Sequence, residues 1–215
     1  MKKSFNTLME DYRILIWNAE DPTIKAKIEP FGYTTVKLDE GKALYGEVQT
    51  LAETQRVEYA EQYTSSTLFI ENRQLAEDEL HKWRKFSKYA FREIPEAFNV
   101  LKLSGEMPRN FADWQQSAKY FYERLQEHPD WITSLELFGL TAEIVTQNIV
   151  AISELNTMQE NRQRETGDAQ RATLARNAKF DELKEWYIKL RDLAKLLFED
   201  EDAQYLEKLG ILVRS

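Results

Sequence analysis

Apolar residues recur along this chain every three or four positions, over stretches much longer than a strand. Tyr45, Val48, Leu51 or Ala52, Gln55 and Tyr59 keep that spacing, and so do Leu80, Trp83, Phe86 or Ser87, Ala90 and Ile94. Leu183, Trp186, Leu190, Leu193 and Leu196 or Leu197 repeat it further on. Spacing of this kind places side chains on one face of a helix. A shorter helix is predicted from Asn110, a suitable N-cap, to Leu125. Its residues Phe111, Trp114, Ala118, Phe121, Tyr122 and Leu125 share a face. Glycine (7) and proline (5) are scarce in 215 residues, so the elements should be long and seldom broken.

The pattern occurs twice. Pro22-Thr-Ile-Lys-Ala-Lys-Ile-Glu-Pro-Phe-Gly-Tyr-Thr34 matches Pro129-Asp-Trp-Ile-Thr-Ser-Leu-Glu-Leu-Phe-Gly-Leu-Thr141. Glu47, Thr50, Glu53 and Glu58 recur at the same offset as Glu154, Thr157, Glu160 and Glu165. Asp78-Glu-Leu-His-Lys-Trp83 then matches Asp181-Glu-Leu-Lys-Glu-Trp186, and Leu101-Lys-Leu-Ser-Gly105 is paired with Leu206-Glu-Lys-Leu-Gly210. In each copy the proline suits the first turn of a short helix. Gly32 and Gly139 suit its left-handed stop, and Thr34 and Thr141 suit the N-cap of the next helix.

After each cap comes a long stretch free of proline. In the first copy it runs from Val36 to Ile94, about 90 Å as one helix at 1.5 Å per residue. A long helix needs a partner for its apolar stripe, so a fold-back is expected near 60–67 and near 166–169, where Thr64-Ser-Ser-Thr67 and Gly167 lie. A continuous helix is the alternative. The expected fold is all-α: two tandem, similar helical hairpins forming a pseudo-twofold four-helix bundle with a linking helix. The segments are an N-terminal apolar stretch (1–20), a first hairpin unit (21–105), the linking helix (106–128) and a second hairpin unit (129–215).

Net charge is −8, and the densest basic stretch, Arg162 to Lys179, is interleaved with Glu160, Glu165 and Asp168. An acidic chain without a basic face repels a nucleic-acid backbone, so no nucleic-acid partner is expected. The absence of cysteine excludes disulfides, thiolate nucleophiles and zinc–thiolate sites, and it fits a reducing cytoplasm. Met1-Lys2-Lys3 has no apolar core behind it, and no stretch approaches the roughly 18 apolar residues of a membrane span. A cytoplasmic protein with no membrane partner is expected.

Few residues invite chemistry. A di-metal bundle centre needs Glu-x-x-His from each of two helices and a Glu from each of two more. The chain has two histidines: His81, with Asp78 three residues before it, and His128, in Glu127-His-Pro-Asp130. Half the ligand set is missing, so neither metal nor cofactor is expected. Gly-x-Ser-x-Gly and phosphate-binding glycine loops are absent. Trp83 and Trp186 recur in equivalent places and read as core residues or recognition anchors. Trp17 lies among Tyr12, Ile14, Leu15 and Ile16 and reads as packed or as a docking residue.

Phe31-Gly-Tyr-Thr34, Gly41-Lys-Ala-Leu44, Gly139-Leu-Thr-Ala-Glu143, Trp186 and Tyr205-Leu-Glu-Lys-Leu-Gly-Ile211 together resemble an uncharacterised family of prokaryotic helical proteins with two repeats. The resemblance spans nearly the full chain and implies the two-unit layout. The family's cap ends in Glu-Glu where this chain has Glu143-Ile144, so the reciprocal capping box is lost. The family has no established function, so the resemblance implies nothing about chemistry. The expected role is a non-enzymatic structural or protein-interaction bundle, with a protein partner or a second copy bound through its helical faces. The alternative is a small-molecule- or metal-binding bundle, enzymatic or not, with an interhelical site.

Overall fold

A computed structural model of the protein describes residues 3–198 and 203–212. Met1 and Lys2, which open the short basic stretch at the N-terminus, lie outside the described residues, as do the ends of the segments expected at 1–20 and 129–215. Among the described residues every regular element is helical.

The chain begins with α1 (Phe5–Asn18), capped by Ser4, whose hydroxyl accepts the Thr7 amide at 3.2 Å. Helix α2 (Pro22–Ile28) has proline in its first turn and Asp21 as its cap. A single 3₁₀ turn, Glu29–Phe31, then stops at Gly32, with φ 93°. Thr34 Oγ1 accepts the Lys37 amide at 3.5 Å and opens α3 (Thr35–Ala90). After α4 (Pro95–Val100) comes α5 (Phe111–Gln126), capped by Asn110, whose Oδ1 accepts the Asp113 amide at 2.9 Å. Helix α6 (Pro129–Glu136) follows, and the chain then stops at Gly139, φ 89°. Thr141 Oγ1 accepts the Ile144 amide at 3.3 Å and opens α7 (Ala142–Leu197), and α8 spans Ala203–Lys208.

The fold-backs expected near 60–67 and 166–169 are absent: α3 and α7 are each continuous over 56 residues. The polar run is accommodated inside the helix. Thr64 Oγ1 donates to the Ala60 carbonyl at 2.9 Å, Ser65 Oγ to Gln62 at 3.2 Å and Thr166 Oγ1 to Arg162 at 2.8 Å. Hydroxyls satisfied in this way need no turn. Gly167 lies inside α7 without positive φ.

The chain divides into two compact units. One comprises the described residues of Met1–Tyr59 and Asp168–Ser215; the other is Ala60–Gly167. Each unit takes half of each long helix, and within each the two halves pack together. In the first, Leu38, Tyr45 and Val48 of α3 share a core with Leu183, Trp186 and Leu190 of α7, closed by Leu15 and Ile16 of α1, Ile24 and Ile28 of α2 and Leu206 of α8. In the second, Phe69, Leu80 and Trp83 of α3 meet Val145, Ile152 and Leu155 of α7, closed by Ala97 of α4, Trp114, Phe121, Tyr122 and Leu125 of α5, and Ile132 and Leu135 of α6. Each large apolar side chain buried this way contributes about 1.5–3 kcal/mol. The N-terminal apolar stretch and the linking helix are therefore integral core elements, one to each unit. No described helix is long and apolar enough to cross a membrane.

Candidate functional site

The tryptophans singled out in the sequence lie in three environments. Trp83 is buried, its indole N–H donating to Glu79 Oε2 at 2.7 Å. Trp186 is buried beside Gly41 and edge-on to Tyr33 (5.8 Å, 80°), and its indole nitrogen has no hydrogen-bond partner among the described residues. Trp17 is 39% exposed and stands edge-on to Tyr45 at 5.2 Å. Gly32, Thr34, Gly139 and Thr141 form the helix stops and caps described above. His81 is exposed, and His128 stacks on Trp131 with ring centroids 3.8 Å apart. The structure brings no two of Trp17, Trp83 and Trp186 into ring contact.

A different residue stands out in the second unit. Arg84 of α3 follows Trp83 on the core-facing side of the helix and is 8% exposed. It makes no hydrogen bond and no ion pair with any described residue. Arg73, three turns earlier on the same helix, shows the ordinary solution. It donates to Glu77 Oε1 at 2.8 Å and to the Arg109 carbonyl at 3.2 Å, with its guanidinium over Phe111. Buried charges are normally paired, because an unpaired one forfeits its hydration without replacement. Burial pulls the Arg84 pKa below the ordinary arginine value, a direction that follows from the same lost hydration.

Arg84 borders two clefts. One, of about 380 Å³, is walled by the connection between α4 and α5 (Leu101, Lys102, Ser104, Glu106, Met107, Pro108) and by Gln116, Ser117 and Tyr120 of α5. The other, of about 460 Å³, is walled by His81, Lys85 and Lys88 of α3 with Gly105, Glu106 and Met107. Both volumes fall in the range of small-ligand sites. Lys85, Lys88 and Lys102 form no ion pair with a described residue. Lys102 has its ammonium 4.3 Å from the Tyr120 ring centroid. Four cations therefore line the two clefts against one carboxylate, Glu106, in a chain whose net charge is −8. The hydroxyls of Ser104, Ser117 and Tyr120 and the amide of Gln116 add neutral donors. Chemically the arrangement suits an anion better than a cation.

Sequence reasoning passed over Arg84. Its signal was a charge at a core register position, four residues after Leu80 and three before Ser87, both of which are fully buried or nearly so. No protein-family model matches the chain, and neither a curated protein nor a solved structure matches it.

Proposed function

We propose that this chain is a non-enzymatic helical binding protein that takes a small anionic ligand into its second unit at Arg84. The observation that carries the reading is the guanidinium of Arg84, a residue only 8% exposed, which has no protein acceptor among the described residues and borders two clefts lined by further cations. A partly desolvated guanidinium with no protein acceptor has less hydration to give up than an exposed one, and a bound anion would offer it charge-assisted hydrogen bonds. A binding role is favoured over an enzymatic one because the cleft serines, Ser104 and Ser117, have no hydrogen-bonded histidine or carboxylate among the described residues, so no activated nucleophile is assembled.

The order of elements supports a duplication within this reading. Helices of 14, 7, 56 and 6 residues are followed by helices of 16, 8, 56 and 6. Trp83-Arg84 in one copy corresponds to Trp186-Tyr187 in the other. Tyr187 is covered by Tyr12, the two rings stacked with centroids 4.2 Å apart, so the anion site belongs to the second unit alone. Cytoplasmic residence is part of the proposal. A protein-binding role is the second reading; it draws on Leu68 and Leu75, exposed on α3 seven residues apart, and a monomeric mass by light scattering with no retained partner would end it.

The test is thermal unfolding of the wild type and Arg84→Met with phosphate, sulfate, citrate and acetate. A ligand that binds the folded state raises the midpoint as its concentration exceeds Kd. At least one anion is expected to raise the midpoint of the wild type and to leave Arg84→Met unmoved. Equal responses of the two proteins to every anion would overturn the reading.

A further inference from the structure

The connection after α4 ends that helix in an unusual way. The Lys102 amide donates to the Asn99 carbonyl and the Leu103 amide to the Phe98 carbonyl, both at 3.1 Å. Nested bonds of this form are the Schellman stop, which places its residue after the cap in the left-handed region and almost always uses glycine there. The stop after α8 follows the rule. Gly210, with φ 73°, donates to Glu207 and Ile211 donates to Leu206. After α4 the left-handed residue is Lys102, with φ 48°, the one non-glycine among the described residues with positive φ. A lysine there gives up the conformational ease that glycine would provide.

The side chain placed by this strained backbone lies in the Arg84 cleft. Lys102 lines the 380 Å³ cavity together with Arg84, and its ammonium rests over Tyr120, which Arg124 also approaches, at 5.4 Å from the ring centroid. The ring fixes the ammonium electrostatically while leaving its three N–H donors without an oxygen partner among the described residues. Strained residues persist where the surrounding structure holds them, and they cluster at binding sites. Glycine would be the better residue for the backbone, so the lysine is explained by what its side chain does.

Resting on the reading of Arg84 as an anion receptor, we propose that the ligand group is a phosphate, gripped between the guanidinium of Arg84 and the ammonium of Lys102. Arg84, Lys85, Lys88 and Lys102 against Glu106 leave an excess of positive charge larger than one carboxylate neutralises. A phosphate carries about −1.5 to −2 at neutral pH and offers three acceptor oxygens. Those oxygens match a planar guanidinium fork, a point-like ammonium and the hydroxyls of Ser104 and Ser117. Glu106 sets a limit, because a ligand crowding it with further negative charge is repelled. Free phosphate and a phosphate monoester share this chemistry.

The test is titration calorimetry of the full chain with inorganic phosphate, glycerol 3-phosphate and acetate, on wild type, Arg84→Met, Lys102→Gly and Lys102→Arg. The wild type is expected to bind one or both phosphates at least tenfold more tightly than acetate. The tighter of the two assigns the natural source as free or esterified. Lys102→Gly is expected to unfold at higher denaturant than the wild type yet to bind phosphate about tenfold more weakly, and Lys102→Arg to keep most of the affinity. Loss of binding in a more stable protein is a combination that a merely structural lysine does not produce. If acetate binds as well as phosphate, or if Lys102→Gly binds phosphate as the wild type does, the phosphate assignment falls while the anion receptor at Arg84 stands. If none of the probes binds, or Arg84→Met binds as well as the wild type, both fall.

Discussion

Trp186 lies so close to Gly41 that a Cβ on the glycine would meet the indole ring at 2.6 Å. This is the tightest approach of α3 to α7 in the first unit at a glycine, and it explains why α3 tolerates a residue that weakens helices. In an open helix position Gly→Ala gains about 0.5–1 kcal/mol, whereas forcing atoms into a packed contact costs about 1–3 kcal/mol. Gly41→Ala is therefore expected to destabilise the protein by about 1–2 kcal/mol. Gly46→Ala, with nothing within 4 Å of the new Cβ, is expected to stabilise it by about 0.5–1 kcal/mol. Urea unfolding of the two variants checks both signs; stabilisation by Gly41→Ala would mean that the Trp186 contact is not made.

Gly167 tests the continuity of α7. Its added Cβ meets nothing within 4 Å and its φ is not positive. Gly167→Ala is expected to stabilise by about 0.5–1 kcal/mol, read from the urea midpoint. If the chain turned back at 166–169 with Gly167 in a left-handed conformation, the same substitution would destabilise.

Gly167, expected at a turn and found inside α7, marks the boundary between what could be read in advance and what could not. The caps were legible because their chemistry is local: Thr34, Gly32, Thr141 and Gly139 act on amides and dihedrals within three or four residues. The apolar stripes were legible for the same reason, and Leu80, Trp83, Leu183, Trp186 and Leu190 are all buried. The partner of a stripe is not local. Leu80 could have been covered by its own helix folding back; it lies instead in a core shared with Val145 and Ile152 of α7, about 65–72 residues away in sequence. The ends of the two matching sequence segments misled for a related reason. Pairing Leu101-Lys-Leu-Ser-Gly105 with Leu206-Glu-Lys-Leu-Gly210 matched glycine to glycine, but the hydrogen bonds match Lys102 to Gly210. Arg84 was hidden because a charge on a core stripe looks like a break in the pattern until its surroundings are known.

The end of α8 and the start of α2 are held by an ion pair with a definite pH signature. Asp21 caps α2 by accepting the Thr23 amide at 3.0 Å and also accepts from the Lys208 ammonium. The hydrogen bond from Lys208 holds its carboxyl below the ordinary value of 3.8. A carboxylate with a lowered folded pKa adds stability above its unfolded pKa and loses it as pH falls through the folded one. The stability gap between wild type and Asp21→Asn is therefore expected to be full above about pH 4 and to shrink below it. Asparagine keeps the cap, so the difference isolates the charge. Unfolding midpoints of both proteins from pH 7 to pH 2.5 give the result, and 1 M salt should narrow the gap by screening. A gap unchanged from neutral to acid pH would remove Lys208 from the account.

Arg84 separates binding from stability most sharply. In the absence of anions the folded protein carries at Arg84 a partly desolvated guanidinium with no protein acceptor among the described residues, while the unfolded chain hydrates it fully. Methionine fills a comparable slender volume with an apolar, adaptable side chain and removes the penalty. Arg84→Met is thus expected to be at least as stable as the wild type in anion-free buffer, an unusual direction for a change at a residue so little exposed, since most such changes destabilise. Saturating anion should reverse the order of the two proteins, because it stabilises the wild type alone by RT ln(1 + [L]/Kd). Urea unfolding with and without 50 Kd of the tightest anion makes the comparison. If Arg84→Met is destabilised in both buffers, the arginine is held by packing of its methylene stem, and its charge is already satisfied by water.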